Sequence, residues 1–163
     1  MKKVVSLTLS IILMFSFFIF DTSALNDEDF VPYVVDFSLT SDFADIANNE
    51  NNTRATGLIL SYSIYLTKTG STLNITGQTH GSMEVVKCGF KDLTVQRRKS
   101  SSYDWEDYYE YGNVYADTWM ANLDTTLVVP ANYQYRITCK HYAKKNLLMV
   151  QTVSNTSNIV TTV

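Results

Sequence analysis

From Leu123 to Lys145 apolar and polar residues alternate with a period of two. Tyr133, Tyr135, Ile137 and Cys139 take one side, and Asn132, Gln134, Arg136, Thr138 and Lys140 the other. Before them Leu123, Thr125, Leu127 and Val129 repeat the spacing. A strand with one buried and one wet face requires such alternation. Pro130-Ala131-Asn132 separates the two runs and predicts a turn. Leu58 to Thr67 carries the pattern again, with Leu58, Leu60, Tyr62, Ile64 and Leu66 on one parity. Lys68-Thr69-Gly70-Ser71 then reads as a turn in which Gly70 can take a positive φ, and Leu73 to Thr76 returns. A hairpin is the simplest connection.

Between Val85 and Arg98 the parity changes. Val86, Cys88 and Phe90 share one side, Leu93 and Val95 the other. One strand cannot bury both sets on the same face without an extra residue, which predicts a bulge or break between Gly89 and Asp92. Ser100-Ser101-Ser102 is a hydrophilic turn, after which Trp105, Tyr108 and Tyr111 suggest a return strand. Val114, Ala116 and Met120 allow helical as well as strand spacing, and the stretch is read as strand or loop. Leu147 to Val153 and Ile159 to Val163 read as a last strand, interrupted by Ser154 to Asn158. No long amphipathic helix is predicted, and the fold class is all-β, a sandwich of about seven strands.

The start of the chain has another character. Lys2 and Lys3 precede an apolar run from Val4 to Phe20, and Ala24 offers a small residue for cleavage. This is the pattern of a secretory signal, expected over residues 1–24, with membrane contact only through that segment before cleavage. Residues 25–53 carry Asp27, Glu28, Asp29, Asp36, Asp42, Asp45 and Glu50 and neither Lys nor Arg. They are expected to form an acidic N-terminal segment or linker. Within it the apolar run Phe30 to Leu39 could add an edge strand or tuck under the domain, and Asn48 to Asn52 reads as a loop. The sandwich domain is expected over residues 54–163. Net charge is −3, yet from Arg54 onward eleven Lys and Arg outnumber eight Asp and Glu. A secreted location makes a bridge between the only two cysteines, Cys88 and Cys139, the expectation.

Composition excludes more chemistry than it suggests. Only His80 and His141 could serve as bases, and no Gly-x-Ser-x-Gly elbow is present. Two histidines and two widely spaced cysteines make no zinc signature, and no glycine-rich phosphate cradle occurs, so neither metal, cofactor nor catalytic residue is assigned. The net negative charge argues against nucleic acid. Two features remain. Tyr103, Trp105, Tyr108, Tyr109, Tyr111, Tyr115 and Trp119 crowd one stretch, and exposed aromatics beside acids can stack on sugar rings. Two basic groups, Arg97-Arg98-Lys99 and Lys140 to Lys145, end adjacent candidate strands. If they share one end, Trp105, Tyr108, Arg97, Arg98, Lys140, Lys144 and Lys145 form a patch for a cell-wall glycan, an anionic polymer or another extracellular protein. The alternative is a small glycan-acting hydrolase with paired carboxylates such as Glu106 and Glu110, which share a side if the strand is regular.

Arg54 to Ser63, Cys88-Gly89-Phe90 with Val95-Gln96-Arg97, and Tyr135 to Lys145 resemble a family of small secreted proteins of spore-forming Gram-positive bacteria, a domain of unknown function. The resemblance spans roughly Arg54 to Val163 and implies secretion without implying an activity. More distantly, Leu93 to Arg97 before Trp105, and Leu127 to Pro130 before Tyr133-x-Tyr135-x-Ile137, look like immunoglobulin-like and fibronectin-type sandwiches. The chain departs from antibody-type domains because Cys88 comes late for their inter-sheet bridge and no core Trp stands where their pattern has one.

Overall fold

A computed structural model describes residues 30–41, 53–54 and 57–163; the expected signal segment and the Asn48–Asn52 run lie outside these. The described residues form ten strands and no helix. They are β1 (Tyr33–Thr40), β2 (Thr53–Arg54), β3 (Ile59–Thr69), β4 (Thr72–Gly81), β5 (Lys87–Arg98), β6 (Glu106–Ala116), β7 (Met120–Val128), β8 (Gln134–Lys144), β9 (Val150–Thr156) and β10 (Val160–Thr161). All pairings are antiparallel. The first sheet has the order β1-β7-β4-β3-β2 and the second β6-β5-β8, with β9 and β10 sharing the far edge of β8. The apolar run in the acidic segment thus supplies an edge strand, and the first sheet reaches back before residue 54.

Alternation dictates what each sheet buries. Ile64, Leu66, Leu73, Ile75, Leu123 and Leu127 come from the first sheet and meet Phe90, Leu93, Val95, Tyr135, Ile137 and Cys139 from the second. Two antiparallel sheets sharing one apolar layer are consistent with a β-sandwich. Each aliphatic side chain withdrawn from water there contributes about 2 kcal/mol. A second cluster around Ile59, Val85, Cys88, Ala121 and Ala143 continues this layer.

The expected irregularities appear, with additions. Gly70 turns the β3–β4 hairpin at φ 61°, and Asn132 turns β7 into β8 at φ 66°. In β5 the pairing slips between Phe90 and Leu93, with Asp92 at φ 54°, so Phe90 and Leu93 both face inward despite their opposite parity. A further slip in β3 between Ile59 and Ser61 was not expected from the sequence. It buries Ile59 and turns Leu60 out. At the β7–β8 corner the Tyr135 hydroxyl donates to the Pro130 carbonyl at 3.0 Å, and the buried Thr162 hydroxyl donates to the same oxygen at 3.0 Å.

The cysteine expectation is corrected. Cys88 and Cys139 are both buried and both free. Cys88 pairs in register with Ala143, four residues along β8 from Cys139. At the rise of a strand that is about 13 Å, while a disulfide needs Cα atoms within about 7 Å. Sharing a sheet face is not enough; register keeps the two thiols apart.

Candidate functional site

The second sheet turns its outer face to solvent, and one end of that face concentrates cations on an indole. Gln96 and Arg98 on β5 pair in register with Arg136 and Gln134 on β8. All four point outward because Val95, Ile137 and Tyr135 point in. Trp105, just ahead of edge strand β6, lies over them half-buried. The guanidinium of Arg98 sits 4.4 Å from the indole centroid and that of Arg136 4.3 Å. Arg98 Nε donates to Gln134 Oε1 at 2.8 Å, Arg136 Nε to Gln96 Oε1 at 2.8 Å, and Gln96 Nε2 to Asp107 Oδ1 at 2.7 Å. A close guanidinium–indole contact is favourable by about 1 kcal/mol where partly exposed. Neither Arg98 nor Arg136 makes an ion pair among the described residues. Burial, and then the neighbouring Arg98 cation, lower the Arg136 pKa.

Arg97 belongs to the other face. It pairs with Glu106 at 2.6 Å and lies 4.4 Å from the Tyr108 ring and 4.6 Å from Tyr133, closing the end of the core. Beside this end a recess of about 200 Å³ is lined by Arg98, Lys99, Tyr103, Asp104, Glu106 and Tyr133. It is below the roughly 300 Å³ at which enclosed small-molecule sites begin.

The structure divides the expected patch. Antiparallel pairing sets Arg98 opposite Gln134 and Lys87 opposite Lys144, so the Arg97–Lys99 group and Lys144–Lys145 stand at opposite ends of β5 and β8. Lys140 lies between and is engaged by Asp92 at 2.8 Å. Trp105 is no bare platform either, since two cations already cover its ring. Tyr108 turns inward, edge-on to Tyr135 at 5.9 Å. Arg136 and Gln96 complete the cluster and were missed. Arg136 shares the outward parity of Gln134, but its partners are visible only once the β5–β8 register is known.

The paired carboxylates also separate. Pairing in β6 slips between Val95 and Gln96, leaving Tyr108 as an extra residue between Asp107 and Tyr109. Glu106 therefore sits opposite Arg97, on the inward parity, and Glu110 opposite Thr94, on the outward one. The slip cancels the regular-strand spacing and puts the two carboxylates on opposite faces.

A third constellation is buried. His141 Nδ1 lies 2.8 Å from Thr79 Oγ1, whose hydroxyl hydrogen goes to the Gly89 carbonyl at 2.9 Å. This assigns the proton to Nδ1 and leaves Nε2 to accept from Asn155 Nδ2 at 3.3 Å and the Cys139 thiol at 3.8 Å. Burial pushes the Cys139 thiol up to about 12 and the His141 imidazole down to about 3. A thiolate–imidazolium nucleophile needs both shifts reversed, so the pair rests neutral. His80 lies in β4, 5.0 Å from the Trp119 ring. Among the described residues no three His, Cys, Asp or Glu side chains converge as a metal site requires. Neither a known family model, nor a curated protein, nor a solved structure matches this chain.

Proposed function

We propose that the protein is a secreted or cell-surface binding module of fibronectin-type build that recognises an anionic polymer, such as an acidic cell-wall glycan, through Arg98, Trp105 and Arg136. The observation that carries this reading is the cation pair itself. Two guanidiniums share one indole on an open sheet face, and among the described residues their hydrogen bonds run to neutral amides. Here the side-chain amides fix the two forks in place and no carboxylate among the described residues pairs with them, the arrangement suited to bidentate capture of carboxylate, sulfate or phosphate. An open face with a shallow recess beside it suits a repeating polymer better than an enclosed small ligand.

Strand order supports the fibronectin-type reading. Taking β3, β4 and β7 as one sheet's A, B and E, β6, β5, β8 and β9 fall in the order C′, C, F and G of the other. The Tyr135–Pro130 hydrogen bond resembles a tyrosine corner, which such a fold carries near the start of strand F. The Lys2–Ala24 pattern supports secretion. Affinity chromatography on dextran sulfate and on neutral dextran tests the reading. Retention on the sulfated matrix alone is expected, falling with salt, and at least about tenfold weaker for Arg98→Gln/Arg136→Gln. Equal retention on both matrices, or no effect of the double variant, would overturn it.

A further inference from the structure

The opposite end of the second sheet has another chemistry. There the β4–β5 loop, Ser82–Val86, and the β8–β9 loop, Lys145–Met149, come together. Val86 N donates to the Lys144 carbonyl at 2.9 Å, and Lys145 Nζ bonds Glu84 Oε2 at 2.7 Å. The second loop is also closed on itself. Lys145 N donates to the Met149 carbonyl at 3.0 Å, and Asn146 Oδ1 accepts from Leu148 N at 3.0 Å and Met149 N at 2.9 Å. These bonds hold apolar side chains out in water. Met83 is 89% exposed, Leu147 87% and Leu148 95%, with Val86, Met149 and Val150 about half exposed beside them. Single exposed leucines are common on protein surfaces. A cluster at the tips of two cross-braced loops is an interaction surface.

We infer that this loop end inserts into the interface of an anionic lipid bilayer. Shape argues for lipid. The most exposed side chains crown convex turns, where a protein partner would need a matching pocket and a buried area of about 800 Å² per side. A bilayer accepts apolar tips at its headgroup–acyl boundary without such complementarity. Charge argues for anionic lipid. Lys87, Lys144 and Lys145 stand directly behind the tips. Asp117 pairs with Lys87 at 2.9 Å and Glu84 with Lys145, which among the described residues leaves this end net positive through Lys144. A lysine near the surface of a negative membrane adds attraction that salt weakens. This surface is separate from the Arg98–Trp105–Arg136 cluster, and either can fail without the other.

The test is co-sedimentation with vesicles of phosphatidylcholine alone or mixed with phosphatidylglycerol. It uses the chain from Leu25 onward, which keeps every described strand and omits the apolar leader. Binding to the mixed vesicles is expected, with much weaker binding to the neutral ones. Leu147→Ser/Leu148→Ser should bind at least about tenfold more weakly with an unchanged melting temperature, because neither side chain is packed. Lys144→Gln should weaken binding only to the anionic vesicles. Failure of the unaltered chain to sediment with either vesicle, or equal sedimentation of the double-serine variant, would overturn the inference. Self-association without lipid that the same double variant abolishes would assign the tips to a second copy of the chain, and would overturn it too.

Discussion

His141 shows what one residue can do to the pH response of the whole fold. Its imidazole is walled in by Thr79, Cys139, Asn155 and the rings of Tyr62 and Phe90, and burial holds it down to about 3. Above an unfolded pKa of about 6.5 neither state carries the proton. Below it the unfolded chain takes one up and the native chain does not, so stability falls as pH drops. The loss is about 2 kcal/mol between pH 6.5 and 5. Urea melts at pH 7, 6 and 5 should show this slope, and His141→Gln should flatten most of it. The cysteines make a second residue-scale prediction. Burial pushes both thiols up to about 12, so iodoacetamide should leave the native protein unmodified. In urea without reductant it should label both cysteines, which a bridge would prevent. The inward position of Cys139 was legible in the alternation of β8. Its distance from Cys88 was not, because no single strand's pattern contains the register between two.

Within elements, the irregular positions do most to shape the outer face. Gly89 holds φ at 151°, and a Cβ there would meet the Val114 carbonyl oxygen at 2.2 Å and the Tyr115 Cα at 2.9 Å. Both neighbours are backbone and cannot swing aside. Gly89 is also paired on either side with Tyr115 and Tyr142, whose ring centroids lie 4.7 Å apart. Residues on strands two apart reach that distance only by leaning over a position with no side chain. Gly89→Ala should cost about 3 kcal/mol, the upper range for overpacking, lowering the urea midpoint without changing the slope of the transition. The slip in β5 was legible because Phe90 and Leu93 are both apolar and of opposite parity. The slip in β6 was hidden. Tyr108, Tyr109 and Tyr111 put aromatics on both parities, so the pattern gave no sign that Glu106 and Glu110 part company.

At the scale of the molecule, alternation showed that strands exist and which side of each is dry, while strand order lay beyond it. Nothing in the sequence of β8 marks that β5 lies on one edge and that β9 and β10 divide the other. That order separates the arginines from the lysines and turns one expected patch into two different ends. Strand order also bears on the sequence of events during synthesis. β1 is made early, yet its register runs from Tyr33 opposite Val128 to Thr40 opposite Asn122, and the Asp36 carbonyl awaits the Thr125 hydroxyl at 2.6 Å. Until β7 emerges, a segment bearing Tyr33, Val34, Val35, Phe37 and Leu39 has no partner. Such distant pairing makes its docking a late step in folding. The edge of β7 accepts any copy of that segment, its own or a neighbour's, so refolding at high concentration should yield dimers that have exchanged β1, while dilute refolding should leave β1 paired within its own chain.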